Sequence, residues 1–119
     1  IASRCDAGLD GRRMHAAAAQ FTSEGIDAVC AFNDESAAAF IAASVSTGIR
    51  IPRDMRVVGI DNQILGRYLS PSLTTIDYDN SVIEELVDMI VGTYEGKGMA
   101  DLSPSRQIGA FEVITRQSA

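Results

Sequence analysis

Two polar pairs, Asn33–Asp34 in AFND and Asp61–Asn62 in GIDN, each close a short apolar run. An amide offers both a donor and an acceptor, and an ionised carboxylate can accept from two hydroxyls at once. The combination suits a neutral polyhydroxylated or heterocyclic ligand. The same residue types also cap helices and make Asx turns, so Asn33 and Asp34 have an equally simple reading as a helix cap, and Asp61 and Asn62 as a turn. Catalytic readings are weaker. His15, the single histidine, lies near Arg12 and Arg13 with no nucleophile motif beside it, and so supports no triad. Neither GxGxxG nor GxxxxGK[ST] occurs, which removes the dinucleotide and phosphate-loop motifs. DAGLDG carries Asp6 and Asp10 without the spacing or terminal Glu of a calcium loop and reads as a solvated turn. Cys5 and Cys30 lack metal-ligand spacing with each other or with His15 and are expected to be buried free thiols. No metal, cofactor or enzymatic activity is expected.

What must position the two pairs is legible in the hydrophobic pattern. Met14, Ala17, Ala18 and Phe21 recur at helical spacing between Gly11 and Ser23, with Gly25 as the stop. IDAVCAF, residues 26–32, is a continuous apolar run of the kind found in strands buried on both faces. Asp34, Glu35 and Ser36 then open a second helix that Gly48 ends, with acids in the first turn where the helix dipole favours them. From Ala37 to Val45 only Ser44 is polar, so this helix needs a cover on more than one side. RVVGI gives another buried strand, and strand, helix, strand requires a crossover between parallel neighbours. LTTI is a short extended piece, Asn80 or Ser81 caps a third helix that EGKG stops, a polar loop runs to Gln107, and a last strand lies around Phe111 and Thr115. A strand at residues 1–4 would complete the sheet.

The pattern is α/β: an open, mostly parallel sheet with helices on both faces. In such sheets ligands bind in the crevice beyond the carboxyl ends of the strands, and parallel pairing would bring both polar pairs to that one edge.

The chain has 119 residues, about one domain, and a single hydrophobic core is expected. Hydrophobic residues make up 46% and charged residues 22%, which argues against a long disordered segment. The net charge of −6 with scattered Lys and Arg speaks against a nucleic-acid surface on this stretch. No apolar run reaches the roughly 20 residues of a membrane span, and no signal-peptide pattern opens the chain, so a cytoplasmic location is expected. The start at Ile1, within an apolar segment and without Met, is read as part of something longer.

Taken together, DAVCAFNDESA and TGIRIPRDMRVVGIDNQILGRYLSPSLTTI resemble the sensor region of the lactose-repressor (LacI/GalR) family of bacterial transcription regulators. SPSLTTI is the most specific part, and the similarity extends from about Asp6 to the end. The resemblance implies the type I fold of periplasmic binding proteins, with residues 1–119 as part of the C-terminal effector-binding and dimerisation lobe. The DNA-binding domain, the N-terminal lobe and the first strand and helix of this lobe would lie outside it. It further implies an effector, a sugar or nucleoside-like molecule, held between two lobes, and operator DNA bound only through the missing N-terminal domain. Asn33 and Asp61 match the family's effector-contacting positions, and Asp6 lies near a third, though CDAGLD lacks the aromatic that some sugar-binding relatives carry there. The family pairs its C-terminal lobes across the second helix and the RYL segment, which makes Ala38, Ala42 and Leu69 candidates for a homodimer interface. A helix wholly buried within a monomer is the rival explanation. The third helix matches a segment that packs on the missing lobe, so its apolar face is expected to want a partner, through swapping, dimerisation or partial disorder. The alternative function on this fold is the solute-binding lobe of a transport protein.

Overall fold

The computed structural model describes residues 2–78, 81–96 and 111–119. The elements run α1 (Gly11–Ser23), β1 (Ala28–Cys30), α2 (Asp34–Ser46), β2 (Arg56–Ile60), a 3-10 turn (Ile64–Arg67), β3 (Thr74–Tyr78), α3 (Ser81–Tyr94) and β4 (Phe111–Ile114). The strands form one open sheet in the order β1-β2-β3-β4. β1 pairs parallel with β2, Cys30 opposite Val58, and β2 pairs parallel with β3, Ile60 opposite Ile76. This is the expected α/β architecture.

The contacts divide the chain into two units, Ile1–Asp77 with Val113–Ala119, and Tyr78–Glu112. In the first unit, Asp10 caps α1 by accepting from the Arg12 and Arg13 N–H groups, which explains the acid in DAGLDG without a metal. Met14, Ala17, Ala18 and Phe21 of α1 meet Ala37, Phe40, Ile41 and Ala43 of α2, and Met55, Val57 and Leu73 complete that core. Phe21 and Phe40 stack at 6.0 Å between ring centroids, tilted by 37°, within the range aromatic pairs favour. His15 joins the two helices at their surface, one ring nitrogen 2.6 Å from the Gly11 carbonyl and the other 2.7 Å from Ser46 Oγ. Its role is that of a helix tie.

The C-terminal tail is sewn into the sheet. The Val57 N–H donates to the Ser118 carbonyl at 2.8 Å, Ser118 Oγ donates to the Val57 carbonyl at 2.6 Å, and the Thr74 N–H donates to Ser118 Oγ at 2.8 Å. Ser118, fully buried, thereby fills the place between β2 and β3 before their own pairing begins.

In the second unit, α3 exposes Ile83, Val87, Ile90, Val91 and Tyr94, which recur at helical spacing. The Asn80 cap, the residues beyond Gly96 in EGKG, and the polar loop to Gln107 lie outside the described residues.

Two expectations are corrected. Residues 2–7 form no strand and, apart from Ala7, lie exposed. A strand there needs sheet hydrogen bonds that this segment does not make with β1. Cys5 and Cys30 are both exposed rather than buried, Cys5 because it lies on that segment and Cys30 because β1 is a thin edge strand.

Candidate functional site

The register fixes where the two polar pairs stand. Carried on from Cys30 opposite Val58 by three positions, it sets Asn33 level with Asp61, both beyond the carboxyl ends of adjacent parallel strands. One more step along β3 brings Asp77 level with Asp61.

Asn33 is a helix cap, as the structural reading held. Its backbone is extended at φ −154° and its Oδ1 accepts from the Ser36 N–H at 2.9 Å. The cap occupies the amide oxygen, and the amide's two N–H donors make no hydrogen bond among the described residues. Capping therefore leaves the donor end of this side chain open to a ligand.

Asp61 and Asn62 have φ values of 100° and 46°, in the left-handed half of backbone space that non-glycine residues rarely occupy. Each such residue costs on the order of 1–3 kcal/mol and persists only where its surroundings hold it. Those surroundings are specific. The Asp61 N–H continues the sheet ladder to the Ile76 carbonyl at 2.9 Å. The Asn62 N–H donates to Thr75 Oγ1 at 3.2 Å, Thr75 donates onward to Asp34 Oδ1 at 2.6 Å, and the Gln63 N–H donates to Asp34 Oδ2 at 2.7 Å. Asp34, 2% exposed, thus ties the first turn of α2 to the turn after β2 and to β3.

The Asn62 amide is engaged at both ends. Its Nδ2 donates to Asp77 Oδ2 at 2.8 Å, and its Oδ1 accepts from Arg116 Nη2 at 2.7 Å. Asn62 is thereby a structural brace, while the half-buried Asp61 carboxylate has no hydrogen-bond or ion-pair partner among the described residues. A carboxylate and amide donors, both unpaired among the described residues and level with each other at one sheet edge, can take hydroxyls or ring N–H groups of a ligand.

Asp6 is less well placed. It lies exposed on the irregular segment and lines a groove of about 350 Å³ with Cys5, Cys30, Phe32 and Ser36, over an apolar floor of Met14, Phe21 and Phe40. Of the residues proposed for a dimer interface, Ala42 is exposed and Ala38 half-buried, and with Glu35 and Val45 they form one stripe along α2. Leu69 is half-buried against the core, beside the exposed Tyr68. The exposed stripe means that α2 is not wholly buried within this chain.

Sequence reasoning passed over Thr75, Asp77 and Arg116, and it read Asp34 either as half of a ligand-facing pair or as part of a helix cap. Only the paired geometry shows it to be the anchor, although Gly59 was a signal, since a Cβ there would run into the Asp34 carboxylate. Arg116 lies 54 positions from Asn62, beyond any local pattern.

Residues 4–119 match the model of the periplasmic binding protein-like domain. The chain belongs to that family, among sensor domains of the LacI/GalR type. Within the family it is similar to the HTH-type transcriptional repressor PurR of Aliivibrio salmonicida, 33% identical over 96 residues, which are 76% of this chain and 27% of that protein. The PurR of Photobacterium profundum is 47% identical over 96 residues, with the same shares covered. Among solved structures, a LacI family transcriptional regulator from Arthrobacter sp. FB24 in complex with lactose superposes with a TM-score of 0.71 at 33% identity, over 94% of this chain and 43% of that one. A regulator assigned to the LacI family from Sanguibacter keddieii gives 0.71 at 28%, over 93% and 43%. The chain thus spans 27% of the length of these two repressors. No helix among the described residues is long and apolar enough to cross a membrane.

Proposed function

We propose that this periplasmic-binding-protein-like chain is the effector-sensing and dimerisation part of a cytoplasmic, DNA-binding transcriptional regulator, corresponding to part of its C-terminal lobe. The observation that carries the reading is the Asp61 carboxylate, without a partner among the described residues, at the carboxyl edge of the sheet and level with Asn33, whose amide donors are also unpaired among those residues. A small polar effector, a sugar or a nucleoside-like molecule, would bridge the two, with Asp6 as a third contact when a second lobe closes over the edge. Support for a sugar comes from the Arthrobacter neighbour, which holds lactose. Support for regulation over solute transport comes from the relatives named above, which are transcriptional regulators.

The mechanism is a population shift and involves no covalent chemistry. An effector that binds one arrangement of the lobes better than the other moves the equilibrium by its difference in affinity, and the DNA-binding heads follow. The apolar stripe of α3 is the surface that the other lobe would cover. The α2 stripe, with Ala38 and Ala42, and Leu69 would meet a second copy in an isologous interface. Ala42→Asp should convert the dimer to monomer in sedimentation velocity, and an unchanged dimer would remove α2 from the interface. Effector contact is tested in the regulator that contains this chain. Its melting temperature and operator binding should respond to one of a panel of sugars and nucleosides, and both Asn33→Ala and Asp61→Ala should abolish that response.

A further inference from the structure

Two consecutive residues at positive φ do not hold themselves, and the bonds that hold them reach across the sheet to the C-terminal tail. Arg116 donates through Nη2 to Asn62 Oδ1 at 2.7 Å and through Nη1 to the Leu73 carbonyl at 2.7 Å, while its own N–H donates to Thr74 Oγ1 at 2.9 Å. The far end of the Asn62 amide donates to the Asp77 carboxylate at 2.8 Å. The amide is therefore strung between a cation and an anion, which fixes its flip: the oxygen faces the guanidinium and the nitrogen faces the carboxylate. The tail carrying Arg116 is itself riveted by the buried Ser118, so the guanidinium is supplied from a rigid support.

We infer that Arg116 is a positioning residue for the ligand carboxylate: acting through Asn62, it keeps Asp61 in the left-handed backbone conformation that presents its side chain at the sheet edge. The inference rests on the reading of Asp61 as an effector contact for its function, but not for its geometry. Charge-assisted hydrogen bonds are roughly twice as strong as neutral ones, and Arg116 places one of them on the residue that follows Asp61. Without it, the Asn62 side chain loses one of its two anchors and the strained pair can relax toward ordinary negative φ. Asp61 would then point elsewhere.

The test is NMR on the 119-residue chain, using one-bond Cα–Hα couplings and intraresidue HN–Hα NOEs, which report the sign of φ. Arg116→Met should remove the positive-φ signature at Asp61 while the resonances of Met14, Phe21 and Phe40 stay in place. An Asp61 that keeps its positive φ in the folded variant overturns the inference. If Arg116→Met does not fold, Asn62→Gly decides, because it allows positive φ at position 62 but cuts the same link. Asp61 should lose its signature there too, and its retention would be equally contrary. In the Asn62→Gly background, Arg116→Met should change Asp61 no further, whereas an independent second effect would show that Arg116 does not act through Asn62. Where a sugar or nucleoside raises the melting temperature of the whole regulator, Arg116→Met should weaken its binding about tenfold or more, as misplaced supporting groups commonly do. Full affinity in that variant contradicts the inference if Asp61→Asn abolishes binding. Full affinity in Asp61→Asn contradicts instead the effector reading, and the φ measurement still decides the positioning role.

Discussion

The buried carboxylate of Asp34 is answered by the Thr75 hydroxyl and the Gln63 N–H, so removing it leaves a buried hydroxyl and a half-buried N–H without their acceptor. Hydrogen bonds to charged groups contribute about 1.5–3 kcal/mol each, and Asp34→Ala is expected to cost about 3 kcal/mol in urea unfolding. A loss within experimental error would mean that solvent reaches the site. Asp54 behaves differently because it is a surface group. Its carboxylate accepts from Arg50 Nη2 at 2.6 Å and from Arg50 Nε at 2.6 Å, and this pairing holds it down to about 2 from an ordinary 3.8. The folded value is the lower one, so the pair's contribution to stability is complete above the ordinary value and is lost as pH falls through about 2. Titration by carboxyl ¹³C shifts should show that low midpoint, and Arg50→Met should return it toward the ordinary range. At this scale the sequence was half legible. Residue type and strand ends placed Asn33 and Asp61 at one edge of the sheet, but the division of labour between Asn62 as brace and Asp61 as a carboxylate unpaired among the described residues depends on partners 15 and 54 positions from Asn62.

At the scale of elements, α1 was legible from its periodic apolar face, and α2 from a continuous apolar run between an acidic first turn and a closing glycine. β1 was harder. IDAVCAF reads as seven strand-like residues, yet only Ala28–Cys30 pair, because β1 lies at the end of the sheet order and the chain turns into the Asn33 cap. The segment before α1 failed as a strand for the related reason that a strand exists only through its neighbour's hydrogen bonds. α2 holds a further cost. Ser44 is fully buried and its hydroxyl has no partner among the described residues, and an unsatisfied buried hydroxyl is destabilising by about 1–3 kcal/mol. Ser44→Ala removes that hydroxyl and improves helix propensity, so it should raise stability by about 1 kcal/mol in thermal unfolding. A loss of stability would show that Ser44 finds a partner in solution, such as a buried water.

For the molecule as a whole, composition bounded the class but not the division into two units. The chain leaves the first unit after Asp77 and re-enters it at Val113, and nothing in hydrophobicity or charge marks those crossings. The tail that re-enters brings Arg116 and Ser118, so the carboxyl edge of the sheet is braced from both ends of the chain's path through this unit. That arrangement suits the proposed sensor, whose contact residues would stay rigid while its lobes move. The most direct measurement is the melting-temperature response of the complete regulator to the sugar and nucleoside panel, for the wild type and for Asp61→Ala. A ligand should raise the wild-type melting temperature, and Asp61→Ala should remove that rise while the unliganded protein remains folded. An Asp61→Ala protein that responds as the wild type does would contradict the assignment of this carboxylate to the effector.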